Sequence, residues 1–180
     1  MTAEGSVRAE IPVGIDELLE RVREGLDRVE ADAAHEAARA GEALLVDIRY
    51  AALRERDGLI PGALVVERNE LEWRLDPQGS HRALEATSHD LRVVIVCNEG
   101  YASSLAAASL RQLGLHRATD LVGGFQAWRA AGLPVTALAV AEPLEAGLPV
   151  AEPPVASQVF GHASSQVSAH ASSQAPGRAS

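Results

Sequence analysis

The sequence predicts an α/β fold with a central, mainly parallel sheet flanked by helices. Short apolar runs rich in β-branched residues alternate along the chain with segments whose apolar residues recur at helical spacing. This alternation is typical of βαβ units, and glycine and proline separate the segments. In open parallel sheets the working crevice lies beyond the carboxyl ends of the strands. Residues at those ends are therefore the first candidates for function.

The composition limits the classes of partner. At 180 residues the chain fits one domain of ordinary size, and its apolar fraction of 47% with only 3% aromatics predicts an aliphatic core. The net charge of −9 argues against nucleic acid or an anionic membrane surface as the main partner. The chain contains no lysine, which excludes Schiff-base and P-loop lysine chemistry.

The single cysteine excludes an intrachain disulfide, a CxxC redox pair and a cysteine zinc cluster. An unpaired thiol fits a reducing compartment. The first ten residues lack the apolar core of a signal peptide, and no run of the sequence approaches transmembrane length. We expect a soluble cytoplasmic protein that uses no metal and no other cofactor.

In the first part of the chain, we expect a helix, a short strand, a second helix and then a longer strand. An amphipathic helix over 15–26 has apolar residues at helical spacing, and an alanine-rich helix ends at Gly41, a glycine C-cap. The expected elements are a helix at 15–26, a short strand at 26–29, a helix at 30–40, a strand at 43–49, and a short helix or loop at 50–57.

The second part repeats the alternation around a buried strand. We expect a turn at 58–63, where Pro61 and Gly62 lie, and one or two helical turns that Asn69 caps. Phe125 and Trp128 lie at helical spacing and are expected in the core. The expected elements are strands at 64–67, 93–96 and 118–122, and helical segments at 69–75, 82–86, from 103 onward, and 123–132.

Three regions follow from these elements. Residues 1–25 form a leader with an amphipathic helix, 26–136 form the folded domain, and 137–180 form a tail rich in Ala, Ser and Pro. In the tail, the sequence of His162–Gln166 recurs as His170–Gln174. Sequence of this composition buries too little apolar surface to offset the cost of ordering, so we expect disorder.

Cys97 is the strongest candidate for chemistry. It ends the apolar run 93–96 and precedes a short loop, Asn98–Ala102, and a helix that begins at Ser103. The N–H groups of such a loop and the helix dipole stabilise an anionic sulfur. A buried structural cysteine at a strand end is the alternative.

Four motifs stand in register over about residues 26–136, and they are Leu45–Arg49, Ile60–Ala63, Val94–Ser103 and Gly123–Val135. With these motifs the chain resembles the rhodanese-like family of sulfurtransferases. The resemblance implies a small α/β sandwich whose central parallel sheet carries the active-site loop after the catalytic strand.

The resemblance also implies the roles of the loop residues. Cys97 is the nucleophile, and the loop that cradles its sulfur comprises Asn98, Glu99, Gly100, Tyr101, Ala102 and Ser103. Cys97 takes a sulfane sulfur from a donor such as thiosulfate, becomes a persulfide, and passes the outer sulfur to cyanide or a thiol. The expected partners are a small sulfur donor and a thiol acceptor, which can be a protein thiol.

The chain departs from the family pattern at the loop. Many family loops carry arginine where this chain has Ala102, and Glu99 adds a negative charge. Both departures weaken the expected binding of thiosulfate. Arg49, Arg68 or Arg74 could supply positive charge to the loop from neighbouring segments, but the sequence does not show where these side chains lie.

Several alternatives stay open at this stage. One is a catalytically weak binding or regulatory module; a phosphatase is disfavoured because no arginine lies between Cys97 and Arg111. Asp47 and Arg49 are auxiliaries of catalysis or, as we favour, an ion pair that pins loops at the sheet edge. Tyr101 lines the pocket mouth or faces solvent.

Trp73 either packs under the loop or is exposed. The histidines at 35, 81, 89 and 116 lack metal-ligand spacing, and one acting as a base to Cys97 is the less favoured reading.

Overall fold

The centre of the molecule is a sheet of four parallel strands. The computed structural model describes residues 12–138 and contains β1 (Leu44–Asp47), β2 (Leu64–Val65), β3 (Val93–Val96) and β4 (Thr119–Asp120). The strand order is β2-β1-β3-β4, and every neighbouring pair is parallel. The predicted α/β class with a central parallel sheet is confirmed.

Helices connect and cover the strands. They are α1 (Ile15–Glu24), α2 (Ala31–Arg39), α3 (Ala51–Asp57), α4 (Leu71–Leu75, preceded by a 3-10 turn at Arg68–Glu70), α5 (Ala102–Gln112) and α6 (Gly124–Ala130). The acidic first turn and basic last turn of α1 complement its dipole. Gly41 has a φ of 72° after α2, as a glycine that ends a helix requires.

β3 is buried along its whole length and divides the core into two layers. Val93 and Ile95 face one apolar cluster, and Val94 and Val96 face the other, as the period of two in a strand requires. Phe125 and Trp128 are buried in the second cluster, so their predicted core positions are confirmed. A strand covered on both faces is continuously apolar, which is why this run was readable in the sequence.

Three local predictions are wrong. Residues 26–29 form no strand, because only Val29 bridges to Leu121 before the chain turns into α2. Asn69 caps nothing, since it lies inside the 3-10 turn before α4. Residues 82–86 form no helix: the Ala86 N–H donates to the Ala83 carbonyl oxygen in an isolated turn, and the Ala83 N–H donates to the distant Arg74 carbonyl oxygen.

The sequence placed α1 before the domain boundary at residue 25, whereas in the structure α1 packs onto the domain. α1 packs against α5, and its Leu19 is buried. The predicted leader before residue 12 and the predicted tail after residue 138 lie outside the described residues. Within 12–138, no helix combines the length and apolar character needed to cross a membrane.

Candidate active site

Cys97 lies at the carboxyl end of β3 and lines a cavity of about 210 Å³. The residue is only 7% exposed, so a reactant must enter the cavity to reach the sulfur. The cavity is lined by Ile48, Arg49, Tyr50, Leu53, Arg68, Cys97, Asn98, Glu99, Tyr101 and Ala102. The thiol therefore occupies the crevice position that a parallel sheet offers for chemistry.

Two polar groups of the loop contact the sulfur. The Gly100 N–H donates to Cys97 Sγ at 3.1 Å, and Ser103 Oγ lies 3.1 Å from the same atom. Gly100 has a φ of 78°, a left-handed conformation that turns its amide toward the sulfur. The loop thus supplies an amide and a hydroxyl donor to any negative charge on sulfur.

The Ser103 hydroxyl has one hydrogen and two neighbours. Its oxygen lies 3.1 Å from Cys97 Sγ and 3.1 Å from Asp120 Oδ2. When sulfur is a thiol, the S–H donates to Ser103 and the hydroxyl donates to Asp120. When sulfur is an anion, the hydroxyl must turn toward it, and Asp120 loses that bond.

Asp120 is fully buried behind the loop and has three polar partners. It accepts from Ser103 and from Ser104, the latter at 2.9 Å. Arg28 donates to both carboxylate oxygens, with Nε to Oδ1 at 2.9 Å and Nη2 to Oδ2 at 3.1 Å. This bidentate pair compensates the buried charge and leaves Asp120 able to keep Ser104 when Ser103 turns away.

Two arginines hold the loop backbone through the Gly100 carbonyl oxygen. Arg23 Nη2 donates to it at 2.7 Å and Arg28 Nη2 at 3.3 Å. Arg23 Nε also donates to Ser104 Oγ at 3.1 Å. The carbonyl and the amide of Gly100 therefore both have polar partners, which fixes the orientation of the residue that contacts the sulfur.

The N-terminus of α6 closes the other side of the loop. The amides of Phe125 and Gln126 donate to the carbonyl oxygens of Cys97 and Asn98 at 2.8 and 3.1 Å. A Cβ on Gly124 would lie 2.7 Å from the Gly100 nitrogen, so only glycine allows this approach. Glycine at 124, the first residue of α6, is thus a packing requirement of the Cys97 loop.

The chain is similar to known proteins. A family model described as the rhodanese-like domain matches residues 30–131. The chain belongs to the rhodanese-like domain family. A sulfurtransferase of Allochromatium vinosum is 36% identical over 96 residues, which make up 53% of this chain and 80% of that protein.

Solved structures support the fold of this rhodanese-like domain. One from Rhodopseudomonas palustris, described as a protein of unknown function and possible tyrosine phosphatase, has a TM-score of 0.63 and 32% identity, covering 71% of this chain and 97% of that chain. The rhodanese-like domain of an Anabaena protein has a TM-score of 0.52 and 20% identity, covering 77% of this chain and 98% of that chain. The second likeness concerns the fold alone.

Asp47 and Arg49 form a buried ion pair. Arg49 Nη2 lies 2.7 Å from Asp47 Oδ2 and 2.8 Å from the Gly58 carbonyl oxygen. The guanidinium also stacks over the Phe125 ring at 3.5 Å from its centroid. The pair and its bond to Gly58 fit an ion pair that pins loops at the sheet edge, and the charge of Arg49 is compensated by Asp47.

The mouth of the cavity has a different character. Tyr50 and Tyr101 are 75% and 56% exposed, and Tyr101 both lines the cavity and meets solvent. Arg68 lies in the lining, but its Nη1 pairs with Glu72 at 2.9 Å. Glu99 is exposed and lines the same cavity as Cys97. The mouth therefore has apolar and aromatic surface, one paired cation and one carboxylate.

The remaining candidates lie elsewhere. Arg74 donates to the His81 carbonyl oxygen and lines another cavity with Trp73, which is 64% exposed and does not pack under the loop. No described histidine lines the Cys97 cavity. Within residues 12–138, no group of three or more His, Cys, Asp and Glu has the arrangement of a metal site.

Sequence reasoning missed the polar support behind the loop. Asp120, Arg28, Arg23 and Ser104 were not singled out, although Asp120 ends a strand of the parallel sheet. The rule that chemistry gathers at the carboxyl ends of strands would have found Asp120. Arg23 and Arg28 lie before the residues that the family model matches, and no sequence pattern marked them as functional.

Proposed function

We propose that this chain is a sulfurtransferase that carries sulfur as a persulfide on Cys97. The observation that supports it most is the pair of donors, the Gly100 amide and the Ser103 hydroxyl, at 3.1 Å from a cysteine sulfur within a cavity. A nucleophile near preorganised donors suits a covalent intermediate whose charge stays on sulfur.

The proposed cycle has two displacements. The Cys97 thiolate attacks the outer sulfur of the donor; a sulfur–sulfur bond to Cys97 forms, the donor's own bond breaks, and sulfite or a thiolate leaves. An acceptor thiolate or cyanide then attacks the outer sulfur of the persulfide and releases the Cys97 thiolate. Gly100 and Ser103 stabilise the anionic sulfur in both resting forms.

The acceptor is a separate molecule in this proposal. The chain has one cysteine, so no second thiol of the same chain resolves the persulfide. A low-molecular-weight thiol or a cysteine of another protein serves as acceptor, and the steps need no metal or other cofactor. The reducing cytoplasm is the proposed location, because it keeps both thiols available.

The mouth favours an organic persulfide over thiosulfate as donor. Arg49 and Arg68 are paired with Asp47 and Glu72, and Glu99 adds a negative charge. A dianionic donor would meet two arginines whose charges are already paired, although Arg49 Nη1 makes no hydrogen bond to any described residue, whereas Tyr50 and Tyr101 offer surface to a carbon-bearing donor.

The test compares donors and variants in one assay. Wild-type protein, Cys97→Ala and Cys97→Ser are given thiosulfate, 3-mercaptopyruvate or an organic persulfide with cyanide, and thiocyanate is measured. Because cyanide also reacts with a persulfide directly, the rate without protein is subtracted; we expect turnover above that rate by the wild type, fastest with the persulfide, and none above it by either variant. Circular dichroism checks that the variants are folded.

Two outcomes would contradict the proposal. Turnover by Cys97→Ala would place the chemistry elsewhere, and no turnover by the wild type with any donor would favour a binding module. Hydrolysis of p-nitrophenyl phosphate is measured in parallel because the Rhodopseudomonas palustris protein is described as a possible tyrosine phosphatase. We expect none, because no arginine between Cys97 and Arg111 can clamp a phosphate.

A further inference from the structure

Three arginines line a cleft at the end of the sheet where the strands begin. The cleft has a volume of about 270 Å³. Arg92 directly precedes β3, Arg111 lies in the last turn of α5, and Arg117 lies shortly before β4. Cys97 lies at the opposite end of β3, so the cleft is separate from the proposed active site.

These arginines are not paired with carboxylates among residues 12–138. Arg111 Nη1 donates to the Gly25 carbonyl oxygen at 2.6 Å, and Arg117 Nη1 donates to the Asp90 carbonyl oxygen at 3.3 Å. The Arg92 side chain makes no hydrogen bond within the described part of the chain. The carbonyl partners of Arg111 and Arg117 are neutral, so none of the three positive charges is compensated by an ion pair among the described residues.

Two of the arginines around the Cys97 loop contrast with this arrangement, whereas Arg23 there has only a hydroxyl and a carbonyl as hydrogen-bond partners among the described residues. Arg28 is paired with Asp120, and Arg49 is paired with Asp47. The chain as a whole has a net charge of −9, so carboxylates outnumber arginines. Three unpaired guanidinium groups around one concave space are therefore not a consequence of a general excess of basic residues.

The other charged groups of the cleft leave it positive. Asp27 is the one carboxylate in the lining, and it is exposed. His116 Nε2 lies 3.3 Å from the Asp90 carboxylate, which is outside the lining. Three arginines thus face one carboxylate, and like charges brought together favour an anion between them.

We propose that this cleft binds a small oxyanion carrying two or more negative charges, of the phosphate or diphosphate class. A planar guanidinium donates two parallel N–H bonds to such oxygens, and three of them can surround one anion. The volume is below that of ordinary cofactor pockets. No Phe, Tyr or Trp lines the cleft, so the phosphate is recognised and an attached organic group is not.

The test is calorimetric titration of the full chain with inorganic diphosphate at low ionic strength. We expect one saturable site in the wild type and about fivefold weaker binding in each of Arg92→Gln, Arg111→Gln and Arg117→Gln, because each loses one Coulomb contact. Arg39→Gln is the matched control, since it removes the same charge from an exposed position in the last turn of α2, outside the cleft.

The outcomes separate this site from general charge effects and from sulfur transfer. Equal binding by all four variants, or no saturable binding by the wild type, would overturn the proposal. Cys97→Ala should bind diphosphate as the wild type does, because β3 separates the two sites. A second titration with adenosine diphosphate identifies the source: equal affinity supports a phosphate ester, and weaker affinity supports the free anion.

Discussion

The two sides of the Cys97 loop differ in burial and polarity: one carries a buried polar network and the other an exposed aromatic surface. On the inner side, Asp120 and Arg28 form a bidentate ion pair, and Ser103 and Ser104 donate to the same carboxylate. On the outer side, Tyr50 and Tyr101 are exposed around an open cavity. The inner side fixes the sulfur, whereas the outer side is free to accept a reactant.

This difference predicts which substitutions damage the fold and which damage only binding. A buried polar network loses much free energy when one member is removed, because the others stay buried without partners. An exposed aromatic residue loses little, because both folded and unfolded states hydrate it. Substitutions on the inner side should therefore lower stability, and those on the outer side should change substrate binding.

The largest effect is expected for Asp120→Asn. The substitution removes the charge that compensates Arg28, and breaking a buried pair costs about 4 kcal/mol of the free energy of unfolding. Urea denaturation measures the change. Glu17→Gln is the control, since it breaks the exposed pair with Arg21 and should cost less than about 1 kcal/mol. Equal losses in the two variants would remove the distinction between the sides.

Gly124→Ala should have the next largest effect. Gly124 has a φ of 59°, and an added Cβ would meet the Gly100 nitrogen of the loop. Gly132→Ala is the matched control, because its φ is 70° but no atom lies within 4 Å of its added Cβ. Thermal denaturation should give a loss of about 1 kcal/mol for Gly132→Ala and about 3 kcal/mol for Gly124→Ala. Similar losses would mean that the loop yields to the methyl group.

Glu72 connects the outer side to α5 and gives a pH-dependent test. Burial raises its pKa, but the Ser109 hydroxyl, a backbone amide and Arg68 outweigh burial and hold the pKa below its ordinary value of 4.5. The carboxylate therefore stabilises the fold above pH 4.5, and this contribution is lost as the pH falls through the lowered pKa.

We expect Glu72→Gln to lose about 1 kcal/mol at neutral pH and to converge on the wild type in acid. Urea denaturation across pH 3 to 7 measures both, with the exposed Glu70→Gln as control. A difference that grows on acidification would contradict the stated sign.

The smallest change in stability is expected for Tyr101→Ala. Arg23 lies over the Tyr101 ring at 5.5 Å, an exposed contact worth less than about 1 kcal/mol. KM for an organic persulfide should rise, because the ring lines the cavity. Trp73→Ala, which removes an equally exposed aromatic outside the cavity, should leave KM unchanged. A large loss of stability in Tyr101→Ala, or a KM equal to that of the wild type, would argue that the ring supports the loop and not the reactant.

The sequence predicted the parts of the fold that depend on local patterns. The buried run 93–96, the glycine after α2 and the core positions of Phe125 and Trp128 were readable because periodicity and glycine conformation are local properties. The strand predicted at 26–29 is absent. Only Val29 pairs, with Leu121, and local sequence cannot predict how far such a long-range pairing extends.

The candidate site was predictable from one side only. Cys97 and its loop follow one another in the chain, so the sequence indicated that they lie together, and the loop's Gly100 adopts a φ of 78° that glycine favours. Asp120, Arg23 and Arg28 reach the loop from separate elements, and nothing in their local sequence indicates the contact. The inner support is a long-range feature that only the fold brings together.

The most direct test of sulfur transfer is the mass of the protein after one exposure to an organic persulfide without acceptor. Intact mass spectrometry and peptide mapping should find one added sulfur atom on Cys97, and adding a thiol should remove it. No adduct in Cys97→Ser is expected. A wild-type protein that gains no sulfur, or gains it at another residue, would contradict the assignment of Cys97 as the sulfur carrier.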